Sequence, residues 1–142
     1  MKAFSFVVIG LALLVGGCSR EDGNNTPTTP TASVPYSTVD LRVGTGAEAN
    51  VGRTATVNYS GWLYSAAGTD NKGSRFDAGT FTFVVGQGVI QGFSQGTIGM
   101  RVGGMRRVII PPSLGYGNQS AGNGAIPPNS TLVFEIELLA VQ

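Results

Sequence analysis

The sequence predicts an α+β domain in which a twisted antiparallel β-sheet of about five strands wraps around one short α-helix. Apolar residues alternate with polar ones at Ala55, Val57 and Tyr59, and again at Leu132, Phe134, Ile136 and Leu138. A repeat of two puts one side of a strand on a core. Only one stretch, Val89 to Met100, has the spacing of a helix, too little helix for a doubly wound parallel sheet.

Val39-Asp40-Leu41-Arg42-Val43 reads as an edge strand. The strand through Ala55 to Tyr59 reaches Gly61, after which Trp62-Leu63-Tyr64 continue or bend it. Residues 65 to 75, Ser-Ala-Ala-Gly-Thr-Asp-Asn-Lys-Gly-Ser-Arg, have the composition of an exposed loop. Phe76-Asp77 and then Phe81, Phe83 and Val85 form two short strand pieces, bridged by Ala78-Gly79-Thr80. In the helix, Ile90, Phe93 and Thr97 share a side, and Ile98 can join them. Gly92, Gly96 and Gly99 weaken it in isolation, so packing must hold it. Arg106 to Ile110 is a strand stopped by Pro111-Pro112, and Leu132 to Leu139 closes the sheet with Glu135 and Glu137 facing away from the core.

Ahead of the domain, Met1-Lys2 gives a basic start, and only Ser5 and Gly10 interrupt an apolar run from Ala3 to Val15. A bilayer crossing needs about 20 residues, so the run reads as the core of an export signal. Gly16-Gly17 then precede Cys18, the single cysteine. Residues 1–17 resemble a bacterial lipoprotein signal, which implies that Cys18 is acylated and becomes the first mature residue. Each buried methylene of such chains adds about 0.8 kcal/mol to membrane binding. Ser19 after the cysteine, where Asp is absent, resembles the outer-membrane sorting pattern of such lipoproteins, which implies the outer membrane facing the periplasm. Residues 18–35, with prolines at 27, 30 and 35, form a flexible Thr/Pro-rich tether. Residues 36–142 hold one domain.

The formal charge is +1, and losing Lys2 with the signal leaves a near-neutral chain, which argues against a nucleic-acid partner. Arg101, Arg106 and Arg107 form the one local basic cluster and read as solvated strand and turn residues. With no histidine and the sole thiol committed to lipid, the domain lacks the parts for a His triad, a His-rich zinc site or a cysteine nucleophile. No cofactor or metal is expected. Ser113 and Ser130 have no histidine to activate them and read as turn residues. Gly86-Gln87-Gly88 and Gly103-Gly104 lack the strand-to-helix context of a phosphate loop.

Ordered motifs run through the domain: Val57-Asn58-Tyr59-Ser60-Gly61-Trp62-Leu63, Gly73-Ser74-Arg75-Phe76-Asp77, Phe81-Thr82-Phe83, Gly88-Val89-Ile90-Gln91-Gly92-Phe93 and Val102-Gly103-Gly104-Met105-Arg106-Arg107. They continue with Ile110-Pro111-Pro112-Ser113-Leu114-Gly115-Tyr116-Gly117 and with Ile126 through Leu138. In this order, from about Val39 to Val141, they resemble the FKBP-type peptidyl-prolyl cis-trans isomerases. The resemblance implies an FKBP-like fold and an enzyme that rotates Xaa-Pro bonds in unfolded or partly folded proteins. It also implies an affinity for macrolide inhibitors. Envelope relatives that dimerise do so through an added N-terminal helical domain, so with only a tether here a monomer is expected.

By the same resemblance, Tyr59, Phe76, Asp77 and Tyr116 are the catalytic positions. Phe81, Phe83, Val89, Ile90, Phe93, Ile126 and Phe134 complete the proline pocket. Asp77 matches a buried acid beside the rotating amide, and Tyr116 matches a tyrosine that bonds a substrate carbonyl. Phe93 stands where the family usually has Trp, which removes an indole donor and shrinks the floor. Ala78-Gly79-Thr80 is shorter than the usual loop that braces the acid, so Asp77 is expected to be held differently or to be more hydrated. The loop from Ser65 to Arg75, which contains Asp70 and Lys72, is longer than usual and resembles bacterial envelope members. The Gly-rich loop Asn118 to Ala125 lacks a bulky residue before Ile126, which predicts a looser flap. A noncatalytic peptide-binding or chaperone module using the same groove is the alternative.

Overall fold

β2 (Thr54–Tyr64) is the strand against which much of the sheet is registered. The computed structural model describes Val34–Gln142; residues 1–33, including Cys18, the signal and most of the tether, lie outside the described residues. On one side β2 pairs with β3 (Lys72–Val84), and on the other with β5 (Leu132–Val141). β4 (Met105–Ile110) and β1 (Ser37–Arg42) extend the sheet beyond β5, giving the order β1-β4-β5-β2-β3. Every pairing is antiparallel. Thus the expected five-stranded α+β architecture is present.

Register explains the single core. Ala55 lies opposite Phe83 and Val57 opposite Phe81, so the inward rows of β2 and β3 coincide. Leu132, Phe134, Ile136 and Leu138 are buried as their alternation predicts, and Val133 is buried on the other face. Near the end of β5 the pairing skips Leu139, which remains exposed.

α1 (Gln91–Thr97) is shorter than the expected span of Val89 to Met100. Ile90 is extended, and Ile98 leaves the helical region before Gly99 turns with φ +85°. The two internal glycines explain how so weak a helix survives. A Cβ at Gly92 would lie 2.5 Å from Ile110, and one at Gly96 would lie 2.6 Å from Val108. Their absence lets the helix backbone rest directly on β4, replacing propensity with close packing.

Three expectations need correction. β3 is continuous through Ala78-Gly79-Thr80, because the ladder to Asn58, Tyr59 and Ser60 overrides the weak strand preference of glycine. Lys72 to Arg75 belong to this strand, leaving a shorter loop closed by Ser65 N–H donating to Asn71 O at 2.9 Å. Arg106 and Arg107 are largely covered and paired rather than solvated. Arg106 meets Asp40 at 2.7 Å and donates to the carbonyls of Gly96 and Ile98 at 3.0 Å, where the helix end is electronegative. Arg107 bonds Glu135 at 2.9 Å and reaches Asp70 at 3.2 Å. Lys72 lies 2.7 Å from the same Glu135 and 4.3 Å from the Trp62 ring centre. Burial pushes the Glu135 pKa up, but hydrogen bonds and charge from Lys72 and Arg107 outweigh it and leave the carboxyl below its usual range.

Candidate active site

A strict strand repeat would send Phe76 and Asp77 to opposite faces of β3. A bulge prevents this: Gly61 pairs with Asp77 and Trp62 with Arg75, so Phe76 is the extra residue. Both Phe76 and Asp77 consequently line one cavity of about 420 Å³. Gly61 opposite them leaves the room they need, since a Cβ there would lie 2.7 Å from the Phe76 ring and 2.8 Å from that of Phe134.

Phe93, from the first turn of α1, is the floor on which the walls converge. Its ring centre is 5.1 Å from Phe134, 5.6 Å from Phe81 and 6.0 Å from Tyr59. The Phe134 contact is edge-on at 89°, as is Phe76 on Phe134 at 79°. Such edge-to-face packing is favourable while leaving ring faces available to a guest. Val89 and Ile90 supply the aliphatic wall before the helix.

Tyr59 and Asp77 form the polar element. Tyr59 faces Gly79 across the ladder, placing Asp77 at its diagonal, within reach of a long side chain. The Tyr59 hydroxyl donates to Asp77 Oδ2 at 2.6 Å, and the Ala78 N–H donates to Oδ1 at 2.8 Å. Partial burial raises the Tyr59 pKa to about 12, helped by the hydrogen bond and charge of Asp77 and by Tyr116. Tyr59 therefore keeps its proton at neutral pH and remains the donor. Asp77 is exposed, where the family pattern implied a buried acid; the short Ala78-Gly79-Thr80 stretch leaves it held by Tyr59 and backbone instead.

Tyr116 reaches the cavity from the far rim and is 40% exposed. A short 3-10 turn, Pro112–Leu114, positions it, and Gly117 N–H donates back to Pro112 O at 2.9 Å. Ile126 is buried at the cavity edge. The loop before it, expected to be loose, closes as a hairpin: Ala121 N–H donates to Ile126 O at 3.0 Å, and Ile126 N–H donates back at 3.1 Å.

Of the residues singled out from sequence, Tyr59, Phe76, Asp77, Phe81, Val89, Ile90, Phe93, Tyr116, Ile126 and Phe134 all line this cavity. Phe83 does not. It shares Phe81's face one strand repeat further along, is buried, and stacks on Phe81 at 5.2 Å while meeting Phe93 at 5.7 Å. It braces the wall from behind. Gly88, Gly122, Asn123 and Ala125 also line the cavity; they lie in a quoted motif and in the flap loop, but no aromatic or charged side chain marks them as lining. Asn123 adopts φ 55°, a turn conformation that Asn tolerates. Ser113 and Ser130 lie outside the lining, and the Ser130 hydroxyl donates to Pro127 O at 2.6 Å. Among the described residues, no group of three or more His, Cys, Asp or Glu could hold a metal.

Residues 46–139 match the family of FKBP-type peptidyl-prolyl cis-trans isomerases. The FK506-binding protein of Neisseria meningitidis serogroup A is 47% identical over 102 residues, covering 72% of this chain and 92% of the relative. That of Streptomyces anulatus is 44% identical over 108 residues, covering 72% and 82%. The crystal structure of AtFKBP13 aligns with a TM-score of 0.64 at 36% identity, covering 75% of this chain and 93% of that one. FkpA from Escherichia coli aligns with a TM-score of 0.62 at 37% identity, covering 75% of this chain and 48% of its own. A five-stranded sheet folded over one short helix, an aromatic cavity at the expected positions and this breadth of sequence identity lead to one conclusion: the chain belongs to the FKBP-type peptidyl-prolyl cis-trans isomerases.

Proposed function

We propose that this chain accelerates Xaa-Pro rotation in extracytoplasmic proteins by seating the proline ring in the aromatic cup and favouring the twisted amide. The convergence of Tyr59, Phe81 and Phe134 on Phe93, with Phe76 edge-on against Phe134 and an open cavity left between them, supports this reading above all. A planar Xaa-Pro amide is held by conjugation, with a rotation barrier of about 18–20 kcal/mol. Twisting removes that conjugation, so no covalent nucleophile is required. An apolar cup disfavours the polar planar form, while Tyr116 can donate to a neighbouring carbonyl and the Tyr59–Asp77 pair fixes the field at the mouth. Contacts stronger in the twisted state than in either planar state lower the barrier.

The same cup is the proposed macrolide site, in keeping with the FK506 binding for which the Neisseria relative is named. Acylation of Cys18 would hold the domain on the envelope, at the outer membrane facing the periplasm, as a monomer on its tether. There, spontaneous isomerisation taking tens to hundreds of seconds would delay folding clients. Mass spectrometry of the mature N-terminus tests the anchor independently of catalysis: an acylated Cys18 supports it, and an unmodified or uncleaved terminus overturns it.

A protease-coupled isomerisation assay on a Xaa-Pro peptide, repeated with a macrolide competitor, tests the activity. Acceleration that the competitor removes is the expected result. The exposure of Asp77 favours one other reading, a noncatalytic peptide-binding or chaperone module, because a solvated acid exerts a weaker field. Peptide binding without acceleration would select that reading.

A further inference from the structure

Six side-chain carboxylates lie among the described residues, and five of them are in ion pairs: Asp40, Glu48, Asp70, Glu135 and Glu137 each have an arginine or lysine within 4.0 Å. Asp77 is the sixth. Among the described residues it has no cation within that distance, and it is the one charged residue of these lining the cavity. The nearest arginine in sequence, Arg75, is paired in register with Trp62, whose neighbour Gly61 faces the cup; strand alternation therefore turns Arg75 to the other face.

The Asp77 carboxylate accepts two hydrogen bonds, from Tyr59 and from the Ala78 N–H. A carboxylate has about four lone-pair sites, so acceptor capacity remains for a ligand. Neither donor carries a formal charge, so the negative charge at the mouth stays unneutralised.

We infer that Asp77 gives the site a substrate preference: prolines adjoined by a lysine or arginine. This rests on the isomerase reading above and names its substrate class. With the proline ring in the cup, the adjoining residues emerge at the mouth, where a basic side chain reaches the lone carboxylate and an acidic one is repelled. Asp77 is then a specificity residue as well as part of the polar element beside Tyr59. Its exposure sets the scale: two opposite charges near contact in water give a preference of roughly fivefold, and salt weakens it.

The test compares kcat/KM for peptides that differ only in Lys, Gln or Glu beside the proline, placed before it in one set and after it in another. At low ionic strength, Lys exceeding Gln by about three- to fivefold in either set, with Glu below Gln, is the expected order. Asp77→Asn should bring the three within about twofold of one another, whatever it does to the shared rate. Molar salt should do the same to the unaltered protein, which keeps the inference testable if the variant folds poorly. Equal values in the unaltered protein, or a Lys preference that survives both Asp77→Asn and salt, would overturn it. Acceleration with a flat order overturns this inference alone, whereas no acceleration of any peptide overturns the isomerase reading and this inference with it.

Discussion

The two faces of the sheet handle their strongest side chains in opposite ways. On the outer face Glu135 is gripped by Lys72 and Arg107, and Arg107 also holds Asp70 from the loop before β3. On the inner face the rings of Tyr59, Phe76, Phe81, Phe93 and Phe134 meet largely edge-on around a volume of about 420 Å³ that they do not fill, beside Asp77, which has no cation partner among the described residues. At Glu135 the outer face engages its acid with two cations, whereas the inner face keeps capacity in reserve. That reserve is why the inner face is the proposed binding face: unfinished interactions have something left to offer a guest.

The contrast breaks most severely if the floor is removed. Phe93→Ala takes away a ring that is 3% exposed and touches four other aromatic rings. It should cost about 3–5 kcal/mol in denaturant unfolding and abolish acceleration of proline peptides. Gly61→Ala attacks the same face from the opposite direction, driving a methyl into Phe76 and Phe134. Overpacking of that kind costs about 1–3 kcal/mol, and loss of macrolide affinity measured by calorimetry should accompany it.

Tyr59→Phe sharpens the comparison because it preserves the ring and deletes only the bond to Asp77. Isomerase activity should fall about tenfold, equivalent to about 1.4 kcal/mol, with a smaller change in stability. The Tyr59 pKa of about 12 lies above its ordinary 10.0, so the folded state holds its proton more tightly than the unfolded chain. Its contribution is therefore complete below pH 10 and is lost as pH rises through about 12. Unfolding followed across that window should show a loss that is reduced in Tyr59→Phe.

The outer face should give the smallest effects. Glu135→Gln should cost about 1 kcal/mol and leave isomerisation within twofold. The Glu135 pKa is depressed below 4.5, so its contribution is present above that pH and disappears as pH falls through the folded value. A flatter acid limb of stability in Glu135→Gln is the check. A large loss of isomerisation from this variant would contradict the division of labour between the faces.

These faces also differed in how far the sequence disclosed them. Alternation located the inward rows of β2 and β5, and ordered motifs located ten of the cavity residues. The bulge at Phe76 stayed hidden because it exists only in the register between β2 and β3. Gly79 looked like a strand break for the same reason, since its pairing with Tyr59 is a long-range fact. The partners of Arg106 and Arg107 were equally invisible: Asp40 is 66 residues from Arg106, and Glu135 is 28 from Arg107. Gly92 and Gly96 read as helix weaknesses until β4 came to lie against them. Phe83 obeyed its period, yet position along the strand, rather than facing, decides which ring reaches the cavity.

In the proposed mechanism the inner face stabilises a turning prolyl bond. Exchange spectroscopy by NMR on a Xaa-Pro peptide, with catalytic amounts of the purified protein, reads that turning directly. Cis/trans exchange at least tenfold above the spontaneous rate is expected, falling with Tyr59→Phe and staying within twofold in Glu135→Gln. Exchange at the spontaneous rate across several peptides, from a protein shown to be folded, would contradict it.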